Sequence, residues 1–226
     1  MTGVTYSRAS HVRLSSRDLA RFPDSTLFHA VARAVCQAGV LPRKELFEAW
    51  EIARRTRRLF RGGRVVDLAG GHGLLAHLML ILDDRSPVAL VVDTAPPPSG
   101  ARVQAALVEA WPRLAGRVEV LATDLRTVPL GPDDVVVASH ACGGLTDLVL
   151  DRATAARARV AVLPCCHNLD RARPQPLGGW LNGALEMDVL RAARLMERGY
   201  RVWTQEIPAD ITPMNRLLLG APPEAD

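Results

Sequence analysis

Apolar residues change their spacing along this chain near residue 64. Before that point they recur at helical intervals. One amphipathic segment starts at Asp24, a residue type favoured at helix N-caps, runs to about Gln37 and stops at Gly39. A second starts at Pro42, in the favoured first helical position, and runs to Phe60 before Gly62 and Gly63. Leu46, Phe47, Trp50 and Ala53 give it an apolar stripe. Residues 1–23 are polar and weakly patterned, which predicts loose order there.

From Arg64 onward the pattern becomes short β-branched runs, at 64–68, 88–92, 118–123, 134–139, 159–164, 200–207 and 215–220. Helical spacing lies between them near 73–82, 100–111, 145–157 and 183–198. Near-continuous apolar strands separated by helices read as a parallel sheet covered on both faces. Only residues 208–214 separate the last two runs, too few for a crossover helix, so these two pair antiparallel. The expected fold is α/β, a doubly wound, mostly parallel seven-stranded sheet. Five βα units close in a hairpin over residues 62–226, behind an N-terminal helical segment, 1–61.

Composition narrows the classes. A length of 226 residues suits one domain with an appendage, and 48% apolar with 23% charged residues sustains a full core, which excludes wholesale disorder. Aromatics at 4% argue against an all-β sandwich and against a stacking platform for single-stranded nucleic acid. No stretch approaches the roughly 18 apolar residues of a membrane span. The N-terminal MTGVTYSRASHVRLSSRD has no apolar signal core, so a cytoplasmic protein is expected. The net charge of +4 permits an anionic partner without demanding one, and Lys44 is the only lysine. Four cysteines (Cys36, Cys142, Cys165 and Cys166) are too few for a disulfide scaffold and are expected as reduced thiols, ligands or site residues.

The first strand runs into Asp67-Leu68-Ala69-Gly70-Gly71-His72-Gly73-Leu74-Leu75-Ala76. Gly71-x-Gly73-x-x-Ala76 fits the dinucleotide fingerprint, with Asp93 ending the second strand, but one such match has low specificity. Asp67 is sharper: a carboxylate at that strand end would repel a pyrophosphate and suit a ligand that carries an ammonium group. The order Asp67, Ala69, Gly71, Gly73 resembles motif I of class I S-adenosylmethionine-dependent methyltransferases. The resemblance covers about residues 44–220 and extends to Asp93, Asp124 and the antiparallel final strand. It implies a Rossmann-like methyltransferase fold that binds S-adenosylmethionine. Asp67, Ala69, Gly70, Gly71, His72 and Gly73 would hold the methionine end, Asp93 and Thr94 the ribose, and Asp124 and Leu125 the adenine, with Ser139 closing the set. A bare strand–helix turn with strand-end caps is the structural alternative. An NAD(P)-dependent oxidoreductase and a non-catalytic methyltransferase-like binding protein are the rival functions.

Strands four and five run into Ser139-His140-Ala141-Cys142-Gly143-Gly144 and Pro164-Cys165-Cys166-His167. Both ends belong to the carboxyl edge of the sheet, beside the ligand crevice of a doubly wound fold. The pairing is similar to that of eukaryotic tRNA 2′-O-ribose methyltransferases acting on the acceptor stem, without their N-terminal Cys/His zinc-finger pattern. Uncharacterised bacterial methyltransferases of similar length are nearer in form. Three readings fit His140, Cys142, Cys165, Cys166 and His167: a catalytic or substrate shell with histidine as general base, a zinc site, or packed thiols with capping histidines. Adjacent cysteines do not form the usual C-x₂-C knuckle, so no metal is expected.

Arg54, Arg55, Arg57 and Arg58 fit either an RNA-phosphate contact or the solvated, cation-favouring end of a helix. Lys44, Glu45 and Glu48 fit either a cover over the cofactor mouth, as in similar methyltransferases, or ordinary surface pairs. The expected activity is methyl transfer from S-adenosylmethionine to an unidentified acceptor, RNA among the candidates.

Overall fold

The computed structural model describes residues 6–165, 167 and 176–223. Its elements in chain order are α1 (Leu27–Ala38), α2 (Arg43–Leu59), β1 (Val65–Leu68), α3 (Leu74–Ile81), β2 (Ala89–Asp93), α4 (Gly100–Ala110), β3 (Val118–Ala122), β4 (Val135–Ala138), α5 (Gly144–Ala155), β5 (Arg159–Val162), α6 (Gly183–Glu197), β6 (Arg201–Glu206) and β7 (Arg216–Ala221). The seven strands form one sheet in the order β3-β2-β1-β4-β5-β7-β6. The first five are parallel, and β7 runs antiparallel between β5 and β6, as the short final connection requires. None of the helices described is long and apolar enough to cross a membrane.

Successive strand residues face opposite layers. Val65, Val91, Val135 and Leu219 join one buried cluster with α1, α2, α3 and α4, while Val66, Val92, Val136 and Leu218 join another with α5 and α6. The N-terminal helices thus share the core of the sheet: Val31, Leu46 and Ile52 are in the first cluster with Val65.

Three local expectations change. Leu14 is fully buried and Phe22 nearly so, with a 3-10 turn at Ser16–Arg21 closed by a Ser15–Asp18 capping box, so residues 6–22 are packed rather than loose. Helix α1 begins at Leu27 because Thr26 accepts from His29 N, while the His29 ring engages Asp24 N and leaves Asp24 outside the helix. Only four βα pairs form, because the 123–134 link between β3 and β4 holds turns and no helix. Pro129, Gly131 and Pro132 explain the break. The link must pass β2 and β1, about 14 Å at normal strand spacing, which extended chain covers easily.

The arginine run is mostly absorbed by the fold. Arg57 is buried, donating to Met79 O (3.0 Å), Phe60 O (3.2 Å) and Ser86 Oγ (2.7 Å), with Asp83 Oδ2 at 3.3 Å. Arg54 grips both Glu51 oxygens (2.8 and 2.9 Å), and Arg55 adds a third contact at 3.1 Å. A phosphate outside the protein cannot reach Arg57. Of the four residues considered for RNA, Arg58 is the exposed one. Arg57→Ala should lower the unfolding free energy by about 3–5 kcal/mol, by removing the buried charge partner of Asp83 and the donors to the Met79 and Phe60 carbonyls, whereas Arg58→Ala should stay within about 0.5 kcal/mol. Urea unfolding of both variants checks this, and equal midpoints would refute it.

Candidate functional site

The sheet order places β1 at the centre, with the chain leaving it toward β2 on one side and returning to β4 on the other. A crevice opens at that switch point, above the carboxyl ends of the strands. The turn out of β1 is unusual in its backbone. Ala69 has φ +59°, a left-handed conformation that L residues adopt at a cost. Gly70 and Gly73 are fixed by packing: an added Cβ would lie 2.8 Å from the Asp67 carboxyl carbon at the first and 2.9 Å from Val91 at the second. Gly71 differs. It has φ +52°, and an added Cβ would meet nothing within 4 Å, so its backbone fronts open space.

That space is a cavity of about 470 Å³, within the normal range for small-ligand sites. Its wall is built from five places in the chain: Glu45 on α2; Ala69, Gly71 and His72 on the turn; Asp93 and Thr94 at the end of β2; Asp124, Leu125 and Arg126 after β3; and His140 after β4. Asp93 ties two of these together, accepting from Gly71 N (3.1 Å) and Ala95 N (2.9 Å). Asp124 accepts from Arg126 N (2.8 Å) and pairs with the Arg126 guanidinium (3.0 Å); both hold its carboxyl below the usual range. Glu45 Oε1 stands 3.7 Å from both His72 Nδ1 and His140 Nε2, and His72 Nε2 is 3.0 Å from Ser99 Oγ. Of the two sequence readings of this helix start, Glu45 takes the cavity, while Lys44 and Glu48 form a pair at 2.7 Å.

Asp67 lies beneath the turn rather than on the cavity wall. It is completely buried, and neither carboxyl oxygen has a hydrogen-bond partner among the described residues. Burial pushes its carboxyl up to about 8, so the group is largely protonated at neutral pH. Next to it in the chain fold, His77 is buried with Nδ1 2.7 Å from Gly73 O, and burial keeps its ring neutral. Nothing in the sequence marks His77, whose ring pins the turn from the first coil of α3.

The Cys/His residues divide. His140 lines the cavity, and Ser139 before it is buried. Cys142 and Cys165 have their sulfurs 3.0 Å apart and are not on the cavity wall. His167 is buried, with Nε2 2.8 Å from Asp188 Oδ1, in a network away from the cavity. Asp188 also receives Arg191 (3.2 Å) and Arg216 (2.7 Å), and Arg191 reaches Asp147 (3.1 Å) and Gly143 O (3.2 Å). Although burial opposes it, His167 and Arg216 hold the Asp188 carboxyl below its ordinary value. The sequence analysis did not single out Asp188 or Arg191; only their i,i+3 spacing on a helix could have hinted at a pair. Cys166 lies outside the described residues. Among the described residues no group of three or more His, Cys, Asp or Glu side chains is arranged to hold a metal ion.

No protein-family model matches this chain, and no curated protein does. Solved structures do. An O-methyltransferase family protein from Burkholderia thailandensis is 20% identical with a TM-score of 0.54, over 96% of this chain and 66% of that one. The S-adenosylmethionine-dependent methyltransferase SibL is 18% identical at TM-score 0.52, over 98% and 71%. The mitomycin 7-O-methyltransferase MmcR is 20% identical at TM-score 0.50, over 92% and 63%. The chain thus spans about two thirds of the length of the structures it matches. At these identities the likeness establishes the fold, a Rossmann-like sheet of the methyltransferase type.

The state of Asp67 gives a test. Its proton is held to about pH 8 in the fold and lost near pH 4 in the unfolded chain. Between those values the unfolded state binds fewer protons, so stability falls as pH rises through the window and levels off above it. At pH 7 the cost is on the order of 4 kcal/mol. Asp67→Asn should therefore be more stable than the parent at pH 7.5 and similar to it near pH 4, by urea midpoints across pH. Parallel pH profiles for the two proteins would refute this.

Proposed function

We propose that the cavity binds S-adenosylmethionine and that the protein transfers its methyl group to a nucleophile presented beside His140. The observation that carries the reading is the alignment along one cavity wall of the open Gly71 backbone, Asp93 and Asp124, the ends of three adjacent parallel strands. The residues fit that ligand: Gly71 leaves room for a close approach, and the Asp93 and Asp124 carboxyls stand on the same wall as acceptors. The three methyltransferase structures of the same fold support the assignment.

In this reading Ala69, Gly71 and His72 border the methionine end, while Gly70, Gly73 and the buried Asp67 shape the turn beneath it. Asp93 and Thr94 receive the ribose hydroxyls, and Asp124 with Leu125 borders the adenine, while Ser139 supports the wall from below. When bound, S-adenosylmethionine supplies a methyl group made electrophilic by its sulfonium. His140 accepts the proton of a hydroxyl or amine acceptor, and Glu45 Oε1, 3.7 Å from its Nε2, stabilises the imidazolium that results. Positioning of the two reactants contributes much of the rate. RNA, the acceptor class implied by the Cys/His resemblance, is the first to test.

Calorimetry should show binding of S-adenosylmethionine and S-adenosylhomocysteine, and loss of both in Gly71→Val, whose side chain enters the cavity. Binding of NAD without either ligand would reassign the fingerprint to a dehydrogenase. Labelled methyl transfer into fractionated cell extract then identifies the acceptor; binding with no transfer into any fraction would leave a non-catalytic binding protein. His140→Ala should lower turnover about 10²-fold or more and change S-adenosylhomocysteine affinity by less than about tenfold. Turnover that holds while the melting temperature falls would make His140 a packing residue.

A further inference from the structure

Outside the cavity, the loops that follow β4 and β5 bring two thiols together. Ala138 pairs with Val162 in parallel register, and Leu163 N donates to Ala138 O, so the chains leave the sheet side by side. Cys142 and Cys165 follow within four residues of that register, and their Sγ atoms stand 3.0 Å apart, about 1 Å beyond a disulfide bond of about 2.05 Å. The approach is held from both sides by one ionic network. Arg191 donates to the carbonyl of Gly143, the residue after Cys142, and to Asp188, which holds His167 two residues after Cys165. Side chains that close this network carry no load at the cavity, yet Arg191 is completely buried, which fixes the two loops relative to each other.

We propose that Cys142 and Cys165 form a thiol–disulfide exchange site for low-molecular-weight organic disulfides of the glutathione type. The two sulfurs have different access: Cys142 is exposed and Cys165 half-buried. Cys142 also sits immediately before Gly143, the N-cap of α5, where a helix N-terminus favours an anionic sulfur. Cys142 is therefore the sulfur that meets the incoming disulfide. Its thiolate attacks one sulfur of the organic disulfide, forming a mixed disulfide and expelling one thiolate. The Cys165 thiolate then attacks Cys142 Sγ, expels the second, and closes the Cys142–Cys165 bond. The two cysteines lose two electrons and two protons, and the organic disulfide leaves as two thiols. Cys36 provides the contrast: it is buried in the core, and burial first, with Asp18 adding to it, pushes its thiol up to about 11, out of reach of this chemistry. The site is independent of methyl transfer, and it places a redox-dependent crosslink two residues from His140 in the cavity wall.

The test uses the full chain, equilibrated in mixtures of reduced and oxidised glutathione, acid-quenched, alkylated and analysed by intact mass and peptide mapping. The expected result is loss of two alkylatable thiols, a peptide pair joined through Cys142 and Cys165, and full reversal by dithiothreitol. Cys166→Ser should keep the crosslink. Cys165→Ser should stop at a stable glutathione adduct on Cys142, and Cys142→Ser should form no crosslink to Cys165. A bond through Cys166 in the parent, or an unchanged thiol count at full oxidation, overturns the proposal. So does one zinc per chain that shields both thiols until the protein is denatured.

Discussion

A fully buried acid sits next to last in the central strand, and the turn that fronts the cavity is built over it. Asp67 sits on β1, whose four residues are all buried between β2 and β4. Keeping the carboxyl there works against folding at neutral pH, because a buried ionised group without a partner is costly and the side chain holds its proton instead. The backbone above it adds strain at Ala69, and the Gly70 position is closed to any side chain by the same carboxyl. Two unfavourable features thus meet at one strand end in an otherwise well-packed sheet, directly under the turn that fronts the cavity.

The surrounding architecture makes that concession tolerable. Both faces of the sheet are covered by continuous apolar clusters, and one of them runs unbroken from Leu14 through α1 and α2 to β1 and β7. The N-terminal helices therefore do two things at once: they bury the sheet face, and α2 delivers Glu45 to the cavity wall. On the other side, with no helix between β3 and β4, the Glu119 and Leu121 face of edge strand β3 is left partly open and the Asp124–Arg126 turn lines the cavity. The cavity is bounded by helix on one side and by turns on the other.

Much of this was legible in the sequence because its signals are local. Strand length, β-branching and the seven-residue gap before the last run suffice for the parallel sheet and its antiparallel end. The glycine turn and the strand-end acids are contiguous motifs, and Gly71, Asp93 and Asp124 stand together on the wall. What escaped depends on partners far away in the chain. His140 and His167 look alike in sequence, yet one turns toward Glu45 and the other toward Asp188, 21 residues downstream in a later helix. Residues 6–22 read as polar and loose, but Arg21 and Arg43 stack on Tyr6, and a 3-10 turn buries Leu14. The cap of α1 moved from Asp24 to Thr26 because a histidine five residues on took Asp24 N.

The near absence of lysine has a physical reading of the same kind. A guanidinium offers several donors in a fixed plane and can bridge carbonyls that a lysine ammonium meets only one at a time. Here Arg33 joins Phe22 O to Asp24 O, Arg113 joins Leu80 O to Ile81 O, Arg152 joins Leu125 O to Val128 O, and Arg159 joins Arg61 O to Asp133 O. With Arg57 and Arg191 buried in the same way, these side chains satisfy carbonyls of the loops and of the last turn of α3, which neither sheet nor helix ladder reaches. A net charge of +4 built from such residues is a record of how the loops are held and says little about nucleic acid. The guanidinium to weigh for an anionic ligand is Arg126, which lines the cavity and is 63% exposed despite its pairing with Asp124. Because Asp124 occupies one edge of its fork, an anion drawn to the mouth meets a half-neutralised charge.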